Sequence, residues 1–300
     1  MTRLTTPPNR RRALHTLGAV AAIGALPLLS ACGSGSTFEP LVPNRFVSFG
    51  DGWSDLAAAR YTVNDGSANS IWVEQLAARY GKTIAAAPAG LGFATGGARV
   101  NTGANSIADQ ISSFLASNTI TANDVLVVDA GVSEVLALAT TLSGAALNTA
   151  AEAAARDLAT QVRRLLTAGG KHVVASNMLD LGKTPFAINA ARVAELASAT
   201  RAFNDAFKIA LATATTDLLL IDNEAYVNLV VNAPASYLGA GAVANASACN
   251  AGSNINTNLC TTATAVAAYN TYLFADDRHP TPGMHHLVGN NAYDLIKARW

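Results

Sequence analysis

Asp276-Asp277-Arg278-His279-Pro280-Thr281 places a carboxylate three residues before a histidine. Pro280 disfavours helix at His279, so the imidazole belongs to a loop. Thr281 and Pro282 suit the start of a helix that carries Met284, Leu287, Val288, Leu295 and Ile296. A carboxylate so placed can orient the ring and stabilise its imidazolium, which is the chemistry of a general base. Taken alone, Asp-x-x-His also describes a solvated loop histidine. A second group of interest is Phe49-Gly50-Asp51-Gly52-Trp53-Ser54-Asp55, directly after a short apolar run. Ser54 could act as a nucleophile only within hydrogen-bond reach of His279. Its plainer role is a loop or helix-start hydroxyl, and that of Asp51 is to bind loop amides. His285 and His286 read as surface histidines on a helix, and His172 as a structural residue before a strand.

The elements that must position these groups follow from the pattern of apolar residues. Phe46–Phe49, Val125–Val128, Val173–Ala175 and Leu218–Ile221 are near-continuous apolar runs, the signature of strands buried on both faces of a parallel sheet. Amphipathic stretches lie between them. One is Ile71–Tyr80, which follows Ser70 and stops at Gly81; another has Ile107, Ile111, Phe114 and Leu115 on one face. Thr149-x-x-Glu152 reads as a capping box opening a helix with the stripe Leu158, Val162, Leu165 and Leu166, which ends at Gly169-Gly170. Ala187–Ala214 reads as one long helical stretch, and residues 232–270 as a polar, small-residue insertion. The rhythm is that of a single doubly wound α/β domain, in which ligands bind beyond the carboxyl ends of the strands.

Several blocks, in order, resemble those of the SGNH/GDSL ester hydrolases. Gly50-Asp51-Gly52-Trp53-Ser54-Asp55 is similar to the family's Gly-Asp-Ser-x-Ser-Asp, with Gly52 at the nucleophile position. Phe93-Ala94-Thr95-Gly96-Gly97-Ala98 resembles the block whose glycine amide lines the oxyanion hole, which maps to Gly97. Asp129-Ala130-Gly131-Val132-Ser133-Glu134 stands where the family has Gly-x-Asn-Asp, so Ser133 replaces the asparagine that donates to the oxyanion. Asn177–Pro185 is similar to a family segment after the fourth strand. Asp276-x-x-His279-Pro280-Thr281 resembles the block of the acid and general base. The resemblance runs from about residue 45 to the C-terminus. It implies a flavodoxin-like domain with a parallel five-stranded sheet and carboxylic-ester hydrolysis without a cofactor. Glycine cannot form an acyl-enzyme, and removing the nucleophile of another serine hydrolase costs about 10⁶ in turnover.

The first 31 residues have signal-peptide form. Arg10-Arg11-Arg12 precede an apolar run from Leu17 to Leu29 that is too short for a membrane span. Asn9–His15 also resembles a loose twin-arginine motif. Leu29-Ser30-Ala31-Cys32 resembles a bacterial lipoprotein processing box, which implies an acylated Cys32 and a membrane anchor. Residues 32–44 would then be the tether and 45–300 the domain. Gly33 in place of aspartate after the cysteine points to the outer membrane of a two-membrane bacterium. Without the leader, 16 bases stand against 20 acids, a balance of −4, which does not favour nucleic acid. An exported chain meets an oxidising compartment, so Cys249 and Cys260 are expected to pair; with no histidine pair nearby they make a poor zinc site. The leading reading is an exported, lipid-anchored hydrolase relative with a degraded site that binds an ester, acyl or glycan ligand. The alternatives are an atypical esterase using Ser54 or His279-activated water, and a surface scaffold that keeps only the fold.

Overall fold

Glu39–Trp300 form one compact unit. The structure, a computed structural model, describes residues 39–213, 216–249 and 257–300; the expected signal peptide, Cys32 and the first part of the tether lie outside them. Four parallel strands, β1 (Arg45–Gly50), β2 (Asp124–Asp129), β3 (His172–Ser176) and β4 (Leu218–Ile221), are ordered β1-β2-β3-β4. Each coincides with an apolar run read from the sequence. A fifth parallel contact runs along the free edge of β1: Ser48 N–H donates to Leu91 O (3.0 Å), Phe93 N–H to Ser48 O (2.7 Å) and Thr95 N–H to Gly50 O (3.1 Å). Only the Ser48–Gly92 pair counts as a bridge. The expected five strands are thus four regular ones and a short extended segment. Since chain order places that segment second, the sheet has the 2-1-3-4-5 order, with the switch point between β1 and β2.

The helices are α1 (Trp72–Arg79), α2 (Ile107–Ser117), α3 (Val132–Leu138), α4 (Gly144–Thr167), α5 (Pro185–Asn189), α6 (Val193–Leu211), α7 (Asn223–Asn232), α8 (Pro234–Leu238) and α9 (Pro282–Arg299). Thr281 caps α9 by accepting from Met284 N–H at 3.3 Å, as its sequence implies. Two expectations change. The helix assigned to a Thr149 box begins at Gly144 and buries Leu147, so Thr149 and Glu152 lie in its second and third turns. The stretch 187–214 is two helices: Arg192 N–H closes the end of α5 on Ala187 O (2.8 Å), and Ala191 adopts φ 54°. Within the insertion, β5 (Val243–Ser247) pairs in parallel with β6 (Tyr272–Phe274). Cys249 and Cys260 are disulfide-bonded with their Cα atoms 5.8 Å apart. Among the described residues no helix is long and apolar enough to cross a membrane.

His286 is exposed, but His285 is fully buried, which corrects the surface reading. It lies on the α9 face that meets α1, where its Nδ1 accepts from Trp72 N–H at 3.3 Å. The ring is therefore neutral with its proton on Nε2. Loss of hydration, and then the charges of His279 and Arg60, press its pKa down to about 3. Below the ordinary value near 6.5, the unfolded chain takes up a proton that the folded chain refuses. Stability from this residue is therefore intact at neutral pH and falls as pH drops from 6.5 towards 3, by an order of several kcal/mol at the acid end. Chemical denaturation between pH 7 and 4 should show a shallower acid loss in His285→Gln than in wild type; identical slopes would refute this assignment.

Candidate active site

The site is assembled by loops at the carboxyl ends of β1 and β2 and by the turn before α9. The Asp276 carboxylate, 1 % exposed, accepts four hydrogen bonds. Its Oδ1 takes the Arg278 (2.9 Å) and His279 (2.6 Å) amides; its Oδ2 takes His279 Nδ1 (2.8 Å) and the Thr257 amide (3.0 Å). Burial alone would raise this carboxyl's pKa. The charge and hydrogen bond of His279, with the neighbouring amides, outweigh it and hold the group below the usual range. An ionised Asp276 on Nδ1 leaves Nε2 as the basic atom of His279. The two side chains, three residues apart in the sequence, are thus hydrogen-bonded to each other.

The basic edge of His279 faces Gly52. A Cβ built on Gly52 would lie 2.9 Å from His279 Cδ2 and 3.3 Å from Cε1, with Nε2 closer still. The imidazole therefore fills the space that a residue-52 side chain would need. The other neighbour of the imidazole is Tyr61, its ring centroid 4.7 Å away and tilted by 37°. The same tyrosine lies over Gly96: a Cβ there would meet its ring, with the phenol oxygen at 2.7 Å. Burial, then the negative charges of Asp55 and Asp276, raise the Tyr61 pKa, so the phenol stays protonated. Thr62 Oγ1 donates to Pro280 O (2.8 Å), and Asn64 N–H to Cys260 O (2.8 Å). The Tyr61 loop is thereby tied both to the histidine turn and to the disulfide.

Two main-chain donors remain open. Neither Gly52 N–H nor Gly97 N–H has an acceptor among the described residues. Gly97 is exposed at φ 77°, a conformation that suits glycine. Its loop is held by Asp55, which accepts from Gly96 N–H at 2.7 Å, and by Glu134, which accepts from Val100 N–H at 2.8 Å and pairs with Arg99. Ser133 is tied to Asp51, whose Oδ2 accepts from its amide at 3.0 Å. Asp51 further accepts from Trp53 N–H at 3.4 Å, so it ties loop amides together. Burial raises its pKa despite the opposing pull of the Ser133 amide and the His279 charge.

Ser54 points elsewhere. Its hydroxyl is fully buried, donates to Asp129 Oδ2 at 3.0 Å and accepts from Trp72 Nε1 at 3.0 Å. Trp72 Nε1 (3.1 Å) and Ser176 Oγ (2.6 Å) complete the Asp129 shell. Burial and the Asp51 charge push Asp129 up to about 6, against the pull of those donors. Ser54 is a structural hydroxyl. Tyr61, Thr257 and the Asp129 network escape a sequence reading, because each acts across a long stretch of chain and belongs to no local pattern.

The family model for the GDSL-like lipase/acylhydrolases matches residues 46–292. The chain belongs to this family. Among solved structures, it is similar to a member of the lipolytic protein G-D-S-L family from Veillonella parvula DSM 2008. The identity is 12 %, over 84 % of this chain and 97 % of that one, with a TM-score of 0.51. It is also similar to Est24, a carbohydrate acetylesterase from Sinorhizobium meliloti, at 12 % identity over 85 % and 99 % of the two chains, with a TM-score of 0.48. No curated protein matches the sequence. The likeness to the Veillonella parvula protein concerns the fold.

Ser54→Ala should lower stability by about 1–3 kcal/mol, the cost of removing one partner from a buried polar network. It should leave any background ester hydrolysis per folded molecule unchanged. A loss of hydrolysis in fully folded Ser54→Ala protein would restore Ser54 as a reacting group.

Proposed function

We propose that this protein is a catalytically impaired ester hydrolase of the GDSL family, exported and held to the cell envelope by a lipid on Cys32, which uses the inherited cleft to bind an ester, acyl or glycan group. The observation that carries this reading is the contact of the His279 ring with Gly52. A glycine supplies no nucleophile, and here the general base has moved into its place. The retained parts are the Asp276–His279 pair and the amides of Gly52 and Gly97, which suit a carbonyl or carboxylate oxygen. The lost parts are the serine hydroxyl and the asparagine amide. Losing one side-chain donor to an oxyanion costs about 10²–10³ in other enzymes, so the two losses together account for an impaired catalyst.

His279-activated water is the second reading, favoured by the ionised Asp276 on Nδ1. It requires a water beside Nε2, and Gly52 and Tyr61 crowd the two sides of the ring. The lipid-anchor part of the proposal rests on the leader and on the Leu29–Cys32 box. It is tested separately, by mass spectrometry of the mature N-terminus.

A fluorophosphonate probe and short-chain p-nitrophenyl esters test the chemistry. Wild type should take no probe, since labelling needs an activated serine. Gly52→Ser alone should label weakly, because its Cβ meets the imidazole. Adding Tyr61→Ala gives the ring room to withdraw, and adding Ser133→Asn returns a donor, so labelling and ester turnover should rise more than multiplicatively. If the folded triple variant stays at the wild-type rate without label, the degraded-site reading fails in favour of a scaffold. Slow wild-type hydrolysis that disappears in His279→Ala, without labelling, would promote water activation.

A further inference from the structure

We infer that the edge of the sheet opposite the cleft is a docking surface for an anionic lipid bilayer, so that the bound protein opens its cleft away from that membrane. All four regular strands are parallel, and the reacting loops leave their carboxyl ends. The amino ends form the other edge, about 20 Å away along six-residue β1. The described chain enters at this second edge, where Leu41 N–H donates to Trp300 O at 2.9 Å. Trp300 stacks edge-on with His172, the first residue of β3, at 4.8 Å, and its Nε1 donates to Thr216 O just before β4.

Aromatic and cationic side chains gather around that point. Tyr80, at the end of α1, packs on Tyr293 of α9 at 4.9 Å. Arg79 lies over the same Tyr293 ring at 4.4 Å, and Lys297 approaches it at 5.9 Å. Arg299, exposed, reaches Thr216 O, and Lys82 follows the end of α1. None of Arg79, Lys82, Lys297 and Arg299 is in a salt bridge among the described residues. Lys171 at this edge, by contrast, is paired with Asp217. Such a cluster stands out in a mature sequence whose net balance is −4. Tyrosine and tryptophan favour the headgroup level of a bilayer, and unpaired Lys and Arg favour anionic headgroups. Val42, 70 % exposed, adds an apolar residue next to the point of entry.

The inference takes the position of the bilayer from the lipid-anchor reading. Six residues separate Cys32 from Glu39, so their Cα atoms lie at most about 25 Å apart. An anchored domain is therefore held close to the membrane by the edge that carries the cations. Its cleft then faces the aqueous compartment, and the ligand class that fits is a water-borne or polymer-borne ester, not a lipid of the same bilayer.

The test uses the mature protein reconstituted in vesicles that carry a doxyl-labelled lipid. Trp53 and Trp72 are buried at 3 % and 1 % exposure, so collisional quenching reads half-buried Trp300, with Trp300→Phe as the control. Quenching is expected in phosphatidylglycerol-containing vesicles. It should fall to the phosphatidylcholine level at high salt and in R79E/K82E/K297E/R299E, while a fluorophore on Thr102→Cys, exposed on the loop that runs from Gly97 to α2, stays unquenched. Quenching that ignores both salt and charge reversal, or a quenched Thr102→Cys label, overturns the inference. The salt arm decides even where the fourfold variant does not fold. An unacylated mature N-terminus would sink the anchor alone; that protein, added to the same vesicles, would still have to show salt-sensitive Trp300 quenching for the docking surface to stand.

Discussion

The cleft depends on the solvation of one buried carboxylate. Asp276 is removed from water, a costly state for an ionised group unless hydrogen bonds replace the lost hydration. Four donors do so here: two amides of its own turn, the His279 ring and the distant Thr257 amide. The amides fix the carboxylate, and the carboxylate fixes the imidazole. Thr257 belongs to the segment leading to Cys260, whose disulfide joins the insertion to itself. A loop rich in small polar residues would otherwise lose much conformational freedom on being held in place; the cross-link removes part of that freedom in the unfolded chain as well.

With the ring fixed on one side by Asp276, the rest of the cleft has packed to it. A side chain at Gly52 would collide with His279, and one at Gly96 with Tyr61. The absence of a side chain at residue 52 is thus more than a missing hydroxyl. A serine would have to displace an imidazole that is hydrogen-bonded behind and crowded by a tyrosine. Close-packed interiors yield by discrete rearrangement more readily than by small strain, so the base, the glycine and the tyrosine form one packing unit.

The frame was legible in the sequence because its signals are local. Four apolar runs became four strands, Thr281-Pro282 became the cap of α9, and Asp276-x-x-His279 became a hydrogen-bonded pair. Where the reading went astray, tertiary packing decided. Leu147 is buried, so α4 starts before Thr149; Arg192 turns the chain between α5 and α6; and His285 looks polar in sequence yet lies inside, against α1. Tyr61 had no chance of being read, since its partners Gly96 and His279 are 35 and 218 positions away and nothing in its immediate neighbours marks it.

The pattern of what the cleft has kept follows from which atoms supply it. The loops after β1 and after the 91–95 segment are positioned by main-chain bonds: Ser48 to Leu91 and Phe93, and Gly50 to Thr95. Gln110 reinforces them by bonding both the N–H and the C=O of Gly50, each at 2.9 Å. Amides held in this way at Gly52 and Gly97 persist through side-chain substitution, because no side chain creates them. A side-chain group has no such protection, since a single residue change at 52 or 133 alters it. The cleft therefore presents the Gly52 and Gly97 amides on loops that main-chain bonds hold in place. Under the proposed function, such a site holds an oxygen that carries partial negative charge and lacks the side chain that would attack the carbon beside it.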